Sequence, residues 1–362
     1  MEVVRRTRLP VLLAAIVAAG VIGLAGPRGL RASDPPWSPA PCPPGTPSPS
    51  SSGPGAWFSL DPVLDATGTL AARRLTLGRV GGAVRQFDLP PESFASGPVG
   101  GRVLVGDDDA TRSQLRLVDA AAGCALTLGT QAAVVRGAIL APDGRTTWEH
   151  RVDRATRADL GIWQRSVAGG PARLVLPGLP VDPSFGPTWE TTLDWADDAR
   201  LIVGSCGSTA CRVRVLDPWT GRIERVDGSG QVIGIAAGQV VAYAACPSLP
   251  CPIEAIDLAS GRRTTLASGW GFAALGGPRG RTLAFEDARG LAALDVVTGR
   301  PVTLPAGVPS LPVRGGSTAT SGAELPAGWL LLAPAGHLGD PAAARGLDPA
   351  SGTTHDLPEV TQ

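Results

Sequence analysis

The sequence contains no lysine; its 32 basic residues are all arginine. That absence removes Schiff-base chemistry, the phosphate-cradling lysine of nucleotide-binding loops and lysine acid/base catalysis. Net charge is missing as well, because 32 acidic residues balance the arginines. Without a basic field to displace counterions from a polyphosphate backbone, the composition argues against nucleic acid as a partner. Histidine is scarce: His150, His337 and His355 are the three, and they fit no metal-ligand spacing. A nucleophile elbow is lacking too. Gly315-Gly316-Ser317-Thr318-Ala319 has alanine where the elbow needs glycine, in no strand-to-helix context.

What is present is a chain of 362 residues, 43% hydrophobic, enough to bury a substantial core. Arg5, Arg6 and Arg8 precede an apolar run from Leu9 to Gly26, the layout of a secretory signal or signal anchor over Met1–Ala32. Export of the remainder follows, to the cell envelope or beyond it. Cleavage and retention as an uncleaved anchor both remain open, since about 18 apolar residues is the lower edge of a spanning helix. Thr7-Arg8-Leu9 fits poorly behind a twin-arginine pair, and Ala40-Pro41-Cys42-Pro43 lacks the pattern of a lipid-anchor site. From Ser33 to Gly55 proline, serine and glycine dominate, as in an extended spacer.

From Ala56 to Gln362 one phrase recurs: an apolar run ending in Asp, a short turn, Gly, and a second β-prone run. It occurs at Asp119 with Gly123, Asp217 with Gly221, Asp257 with Gly261, Asp295 with Gly299 and, more faintly, Asp348 with Gly352. Short runs such as Val134–Leu140, Thr146–Val152 and Leu201–Ser205, divided by Gly, Pro and Asp turns, predict short antiparallel strands. Hairpins recurring at roughly 40–50 residues predict an all-β chain, a β-propeller of seven four-stranded blades. Its ends are ambiguous. Trp57–Val63 fits either the first blade or the outer strand of the last, and Pro305–Gly328 fits either an inner strand or a long loop, so six or eight blades stay open. A sandwich gives no reason for the fixed repeat, and α/β folds need helices this chain does not encode.

Ala141-Pro142-Asp143-Gly144-Arg145-Thr146-Thr147-Trp148 resembles the Ser-Pro-Asp-Gly turn of TolB-like and WD40-like bacterial propeller repeats. There that turn joins the two inner strands of a blade. The resemblance covers the repeat region in rhythm and one motif in letters, and it implies a scaffold that more often binds proteins or ligands than catalyses. The same segment departs from the sialidase Asp-box, because Asp143 and Gly144 are adjacent.

Cys206 with Cys211 and Cys246 with Cys251 fall at the same place in successive units, between second and third strands. In an exported chain each pair predicts a local disulfide clasp rather than half of a zinc site. Cys42 and Cys124 are left to pair with each other or stay free. Asp107-Asp108-Asp109 and Asp197-Asp198 lack the alternate spacing of a calcium loop and suit solvated turns. No cofactor or metal is expected. The longest charged connection, Val152 to Asp159, makes Asp153, Arg154, Arg157 and Asp159 the candidate binding residues, against the plainer reading of a solvated crossing. His150, on the strand just before it, is either structural or turned toward a central channel.

The expected function is an extracytoplasmic, non-catalytic propeller that binds a protein, peptide or glycan of the cell envelope, touching membrane only through its N-terminal segment. Two alternatives are a hydrolase or lyase with carboxylates, Arg and His converging at the channel mouth, and a purely structural envelope module.

Overall fold

The computed structural model describes residues 40–42, 55–79, 84–108, 111–120, 122–178, 190–195, 200–206, 211–226, 229–244, 246, 248–271, 273–276, 280–305, 311–312, 321–323, 329–333 and 345–356. The expected signal or anchor, Met1–Ala32, and nearly all of the Ser33–Gly55 spacer lie outside the described residues. Contacts divide the chain into Met1–Asp34 and Pro35–Gln362, and every described residue belongs to the second unit.

Every described element is a β-strand, and the strands form seven sheets. Strand β1 (Ala40–Pro41) comes first in the chain but joins the second sheet. The first sheet takes β2 (Ala56–Leu64), β3 (Leu70–Arg79) and β4 (Arg85–Leu89). The second takes β5 (Phe94–Val99), β6 (Arg102–Asp108), β7 (Ser113–Asp119) and β8 (Cys124–Gln131). The third is β9 (Val134–Leu140), β10 (Thr146–Val152), β11 (Asp159–Ser166) and β12 (Arg173–Leu176). The fourth is β13 (Glu190–Trp195), β14 (Leu201–Cys206), β15 (Cys211–Leu216) and β16 (Ile223–Val226). The fifth is β17 (Ser229–Ala236), β18 (Gln239–Ala244), β19 (Cys251–Asp257) and β20 (Arg263–Gly269). The sixth is β21 (Ala273–Leu275), β22 (Thr282–Asp287) and β23 (Gly290–Asp295). Last come β24 (Leu311–Pro312), β25 (Ser321–Ala323), β26 (Leu330–Ala333), β27 (Arg345–Leu347) and β28 (Thr354–Asp356).

Two turn chemistries set this register. Ala141 to Gly144 joins β9 to β10, the two inner strands of their sheet, with the Gly144 N–H donating to the Ala141 carbonyl at 2.8 Å and Gly144 at φ 67°. The recurring Asp and Gly join the third strand to the fourth. In the fifth sheet the Asp257 carboxylate accepts from the Ser260 N–H at 2.7 Å, while Gly261 donates to the Asp257 carbonyl at 2.8 Å. Gly261 sits at φ 71°, a left-handed conformation that costs glycine little. The turns at Asp217, Asp295 and Asp348 repeat these bonds.

Because side chains alternate across a strand, each central strand feeds two cores. On β6, Val103 and Val105 pack with Phe58, Leu75 and Phe87 of the first sheet, whereas Leu104 packs with Val135 and Leu140 of the third. The same division repeats along the chain: Trp148 and Ile162 meet Leu193, Leu201 and Val203, and Ile202 meets Val232 and Val240. The core is therefore a series of apolar slabs between successive sheets. First strands touch in succession as well, β25 with β5, β5 with β9, β9 with β13, β17 with β21 and β21 with β24.

Two departures from uniform four-stranded units stand out. The expected strand Pro301–Leu304 is reduced to one bridge, Leu294 with Pro301, because proline has no N–H with which to extend a ladder. The second sheet gains β1, which runs parallel to β8 and is held by the Cys42–Cys124 disulfide. The ambiguous ends are also placed. Trp57–Val63 lies in the first sheet between β25 and β3, so it is not an outer strand of the last sheet. Pro305–Gly328 supplies β24 to the seventh sheet and β25 to the first. The first sheet thus combines strands from the start of the repeat region with β25 from near its end.

Candidate functional site

One connection departs from the glycine rule of those turns. Between β10 and β11, the Asp153 N–H donates to the Ala158 carbonyl at 2.8 Å and the Arg157 N–H to the Asp153 carbonyl at 2.9 Å. The Asp153 carboxylate accepts from the Ala155 N–H at 3.1 Å and from the Thr156 N–H and hydroxyl, both at 2.8 Å. These donors, the Thr156 N–H foremost, hold the Asp153 carboxyl below the usual carboxylate range. This is the Asp-to-Gly turn of the other sheets, with Arg157 at φ 60° in the glycine position. An L-residue there costs about 1–2 kcal/mol relative to its ordinary conformations.

The other candidates on this turn are engaged within the fold. Arg154 donates from Nε to the Ala132 carbonyl at 3.0 Å and from Nη2 to Asp108 at 2.5 Å, tying the turn to the second sheet. Ser113 donates to the same Asp108 carboxylate at 2.6 Å. Asp159 accepts from the Gly161 N–H at 2.8 Å and stands 3.1 Å from His150 Nε2. His150 is buried on the same side of β10 as Trp148, and its contact with Asp159 ties this strand end to the start of β11. Arg157 alone of the four is exposed, its side chain making no hydrogen bond or ion pair to a described residue.

Beneath the turn lies a buried ionic cluster that composition did not signal. Glu149 is fully buried on β10, and its two oxygens accept from Arg151 at 2.6 Å and Arg165 at 2.8 Å. Arg165 continues to Gln131 at 2.8 Å, over Gly129, where an added Cβ would collide with its guanidinium. Arg151 lies 4.6 Å from the centroid of Trp163. The cluster joins the second and third sheets and fixes the strand end that carries the turn.

A further arginine was missed by the sequence reading. In the β9–β10 ladder His150 faces Gly137 and Arg151 faces Val135, leaving Arg136 as the extra residue of a bulge. Its side chain is exposed on an innermost strand, with no partner among the described residues. The available signal was the single charge in the apolar run Val134–Leu140.

Of the remaining expectations, Cys246 and Cys251 are disulfide-bonded between β18 and β19, with Cα atoms 5.8 Å apart. Cys42 and Cys124 are bonded to each other. Cys206 and Cys211 face each other in the β14–β15 ladder, but their side chains lie outside the described residues. Asp107 pairs with Arg116, and Asp108 with Arg154 as above. Asp109, Asp197, Asp198, His337, Gly315–Ala319 and the His355 side chain also lie outside the described residues.

No family model and no curated protein matches this chain. Solved structures do match. A prolyl endopeptidase is similar at 13% identity and a TM-score of 0.54, covering 84% of this chain and 49% of its own. TolB from Acinetobacter baumannii is similar at 14% identity and a TM-score of 0.46, covering 75% and 66% respectively. A putative TolB from Agrobacterium tumefaciens gives 13% identity, a TM-score of 0.44 and coverages of 75% and 98%. The chain therefore spans about half of the endopeptidase and just under two thirds of the first TolB. At these identities the likeness is one of fold, that of a β-propeller.

Proposed function

We propose that this chain is an exported, non-catalytic propeller of seven blades, one for each described sheet, that binds a protein or peptide partner through the strand ends around the β10–β11 turn. The observation that carries the reading is Arg157. Equivalent turns relax the same conformation with Gly221, Gly261, Gly299 and Gly352, and this one retains a strained, exposed arginine. Strained backbone clusters at functional sites, and Arg157 keeps its strain where its long charged side chain is exposed, unlike Ala237, whose positive φ carries only a methyl group. Engagement of Arg154, Asp159 and Glu149 within the fold makes the turn a rigid platform, which lowers the ordering cost of binding. Two disulfides support an oxidising, extracytoplasmic location.

The test is an exchange of turns. Replacing Asp153–Arg157 by the Asp257–Gly261 sequence, with Ala158 kept, preserves the backbone pattern and removes Arg154 and Arg157 without adding another arginine. The parent chain, immobilised in oxidising buffer and screened against envelope proteins and peptides, is expected to retain a partner that the exchanged chain loses. Equal retention by both chains, or none by the parent, would refute the reading.

A further inference from the structure

Two separate backbone irregularities in the third sheet each present an arginine with no partner among the described residues. A bulge in β9 sets Arg136 out of the ladder, and a left-handed residue in the following connection presents Arg157. Bulges re-aim side chains, and positive φ in a non-glycine residue is sustained only by its surroundings. Both lie toward the same end of the sheet, since Val134 opposite Val152 marks the end from which the turn departs. Arg154 draws that turn toward the Ala132 carbonyl, two residues before β9 begins.

Among the described residues, the nearby acids are engaged elsewhere. Asp153 is consumed by its own turn, Asp159 bonds His150 and Gly161, and Asp108 bonds Arg154. The guanidinium fork matches a carboxylate, and two forks on a rigid strand end suit a chain that offers more than one. The nearby aromatic ring, Trp163 on β11, is half-buried with the Arg151 guanidinium 4.6 Å from its centroid, and the exposed tryptophans among the described residues, Trp219 and Trp270, belong to the fourth sheet and to the segment after the fifth, so a sugar finds little open stacking surface here.

We infer that Arg136 and Arg157 form a recognition site for an acidic peptide segment of the partner. The inference rests on the binding reading above and names the chemistry of its ligand. Association of the full chain with fluorescent hexaglutamate, measured by anisotropy at low ionic strength in oxidising buffer, tests it. Binding is expected to weaken at least tenfold in Arg136→Gln and in Arg157→Gln, and to stay unchanged in Arg262→Gln, an exposed arginine at the opposite strand end. Hexaglutamine is expected not to bind. Equal losses in all three variants would reduce the effect to net charge and overturn the site. A polyglucuronate that outcompetes hexaglutamate would overturn the peptide assignment in favour of a glycan. No hexaglutamate binding, alongside a partner still lost on turn exchange, would overturn the acidic chemistry while leaving the binding reading intact. Since both arginines are exposed, melting midpoints matching the parent separate lost contact from lost fold.

Discussion

Replacing Arg157 by glycine is expected to stabilise the chain while removing its contact with a partner. The turn from Asp153 to Ala158 makes the same backbone bonds as that from Asp257 to Arg262, and φ is 60° at Arg157 against 71° at Gly261. Glycine relieves about 1–2 kcal/mol of left-handed strain. It also loosens the unfolded chain, which offsets about 0.4–1 kcal/mol. The net expectation is a gain of about 0.5–1 kcal/mol, read as a rise in melting midpoint of about 1–3 °C at this size. Gly261→Ala is the converse. An added Cβ there meets nothing within 4 Å, so its penalty, about 0.5–1 kcal/mol, is purely conformational. Urea titrations of both variants against the parent, in oxidising buffer, measure the two changes. Destabilisation by Arg157→Gly would mean that the arginine side chain holds the fold, and its left-handed conformation would then no longer point to a partner.

Glu149→Ala is expected to cost about 3–5 kcal/mol, because it strands two largely buried arginines; denaturant midpoints measure it, and a loss under about 1 kcal/mol would show the cluster to be well solvated. Gly129→Ala should destabilise through the same cluster, by pushing Arg165 away from Glu149, and its effect should shrink when Glu149 is already replaced. Removing the Cys42–Cys124 bond, which spans 82 residues, is expected to cost about 4.5 kcal/mol on loop-closure grounds. The Cys246–Cys251 bond, spanning 5, should matter less, about 2 kcal/mol, and an inverted ranking in serine variants would contradict the chain-entropy account. Asp217, Asp257 and Asp348 are held below the usual carboxylate range, first by the hydroxyls of Thr220, Ser260 and Ser351. A depressed folded pKa contributes stability above the unfolded value and loses it as pH falls through the folded one. Stability should therefore decline below about pH 4, and Asp257→Asn should flatten that decline in acid melts.

What the sequence determined by itself is the local grammar. Val134–Leu140 and Thr146–Val152 are strands with the expected bounds, because alternation and turn residues act within a few positions of one another. The Asp-to-Gly turns and the Cys246–Cys251 clasp were legible for the same reason. Tertiary structure alone decided that β25 leaves the seventh sheet to line the first, and that Cys42 meets Cys124 across 82 residues. Backbone hydrogen bonds are alike for any sequence, so the choice between distant strand edges falls to packing that no local pattern records. The candidate site divides along the same line. Its charged turn was visible as a run of residues, and the left-handed Arg157 is held by local bonds of that turn, whereas the bulged Arg136 appears only in the pairing of β9 with β10 and the burial of Glu149 only in the packing of the second and third sheets.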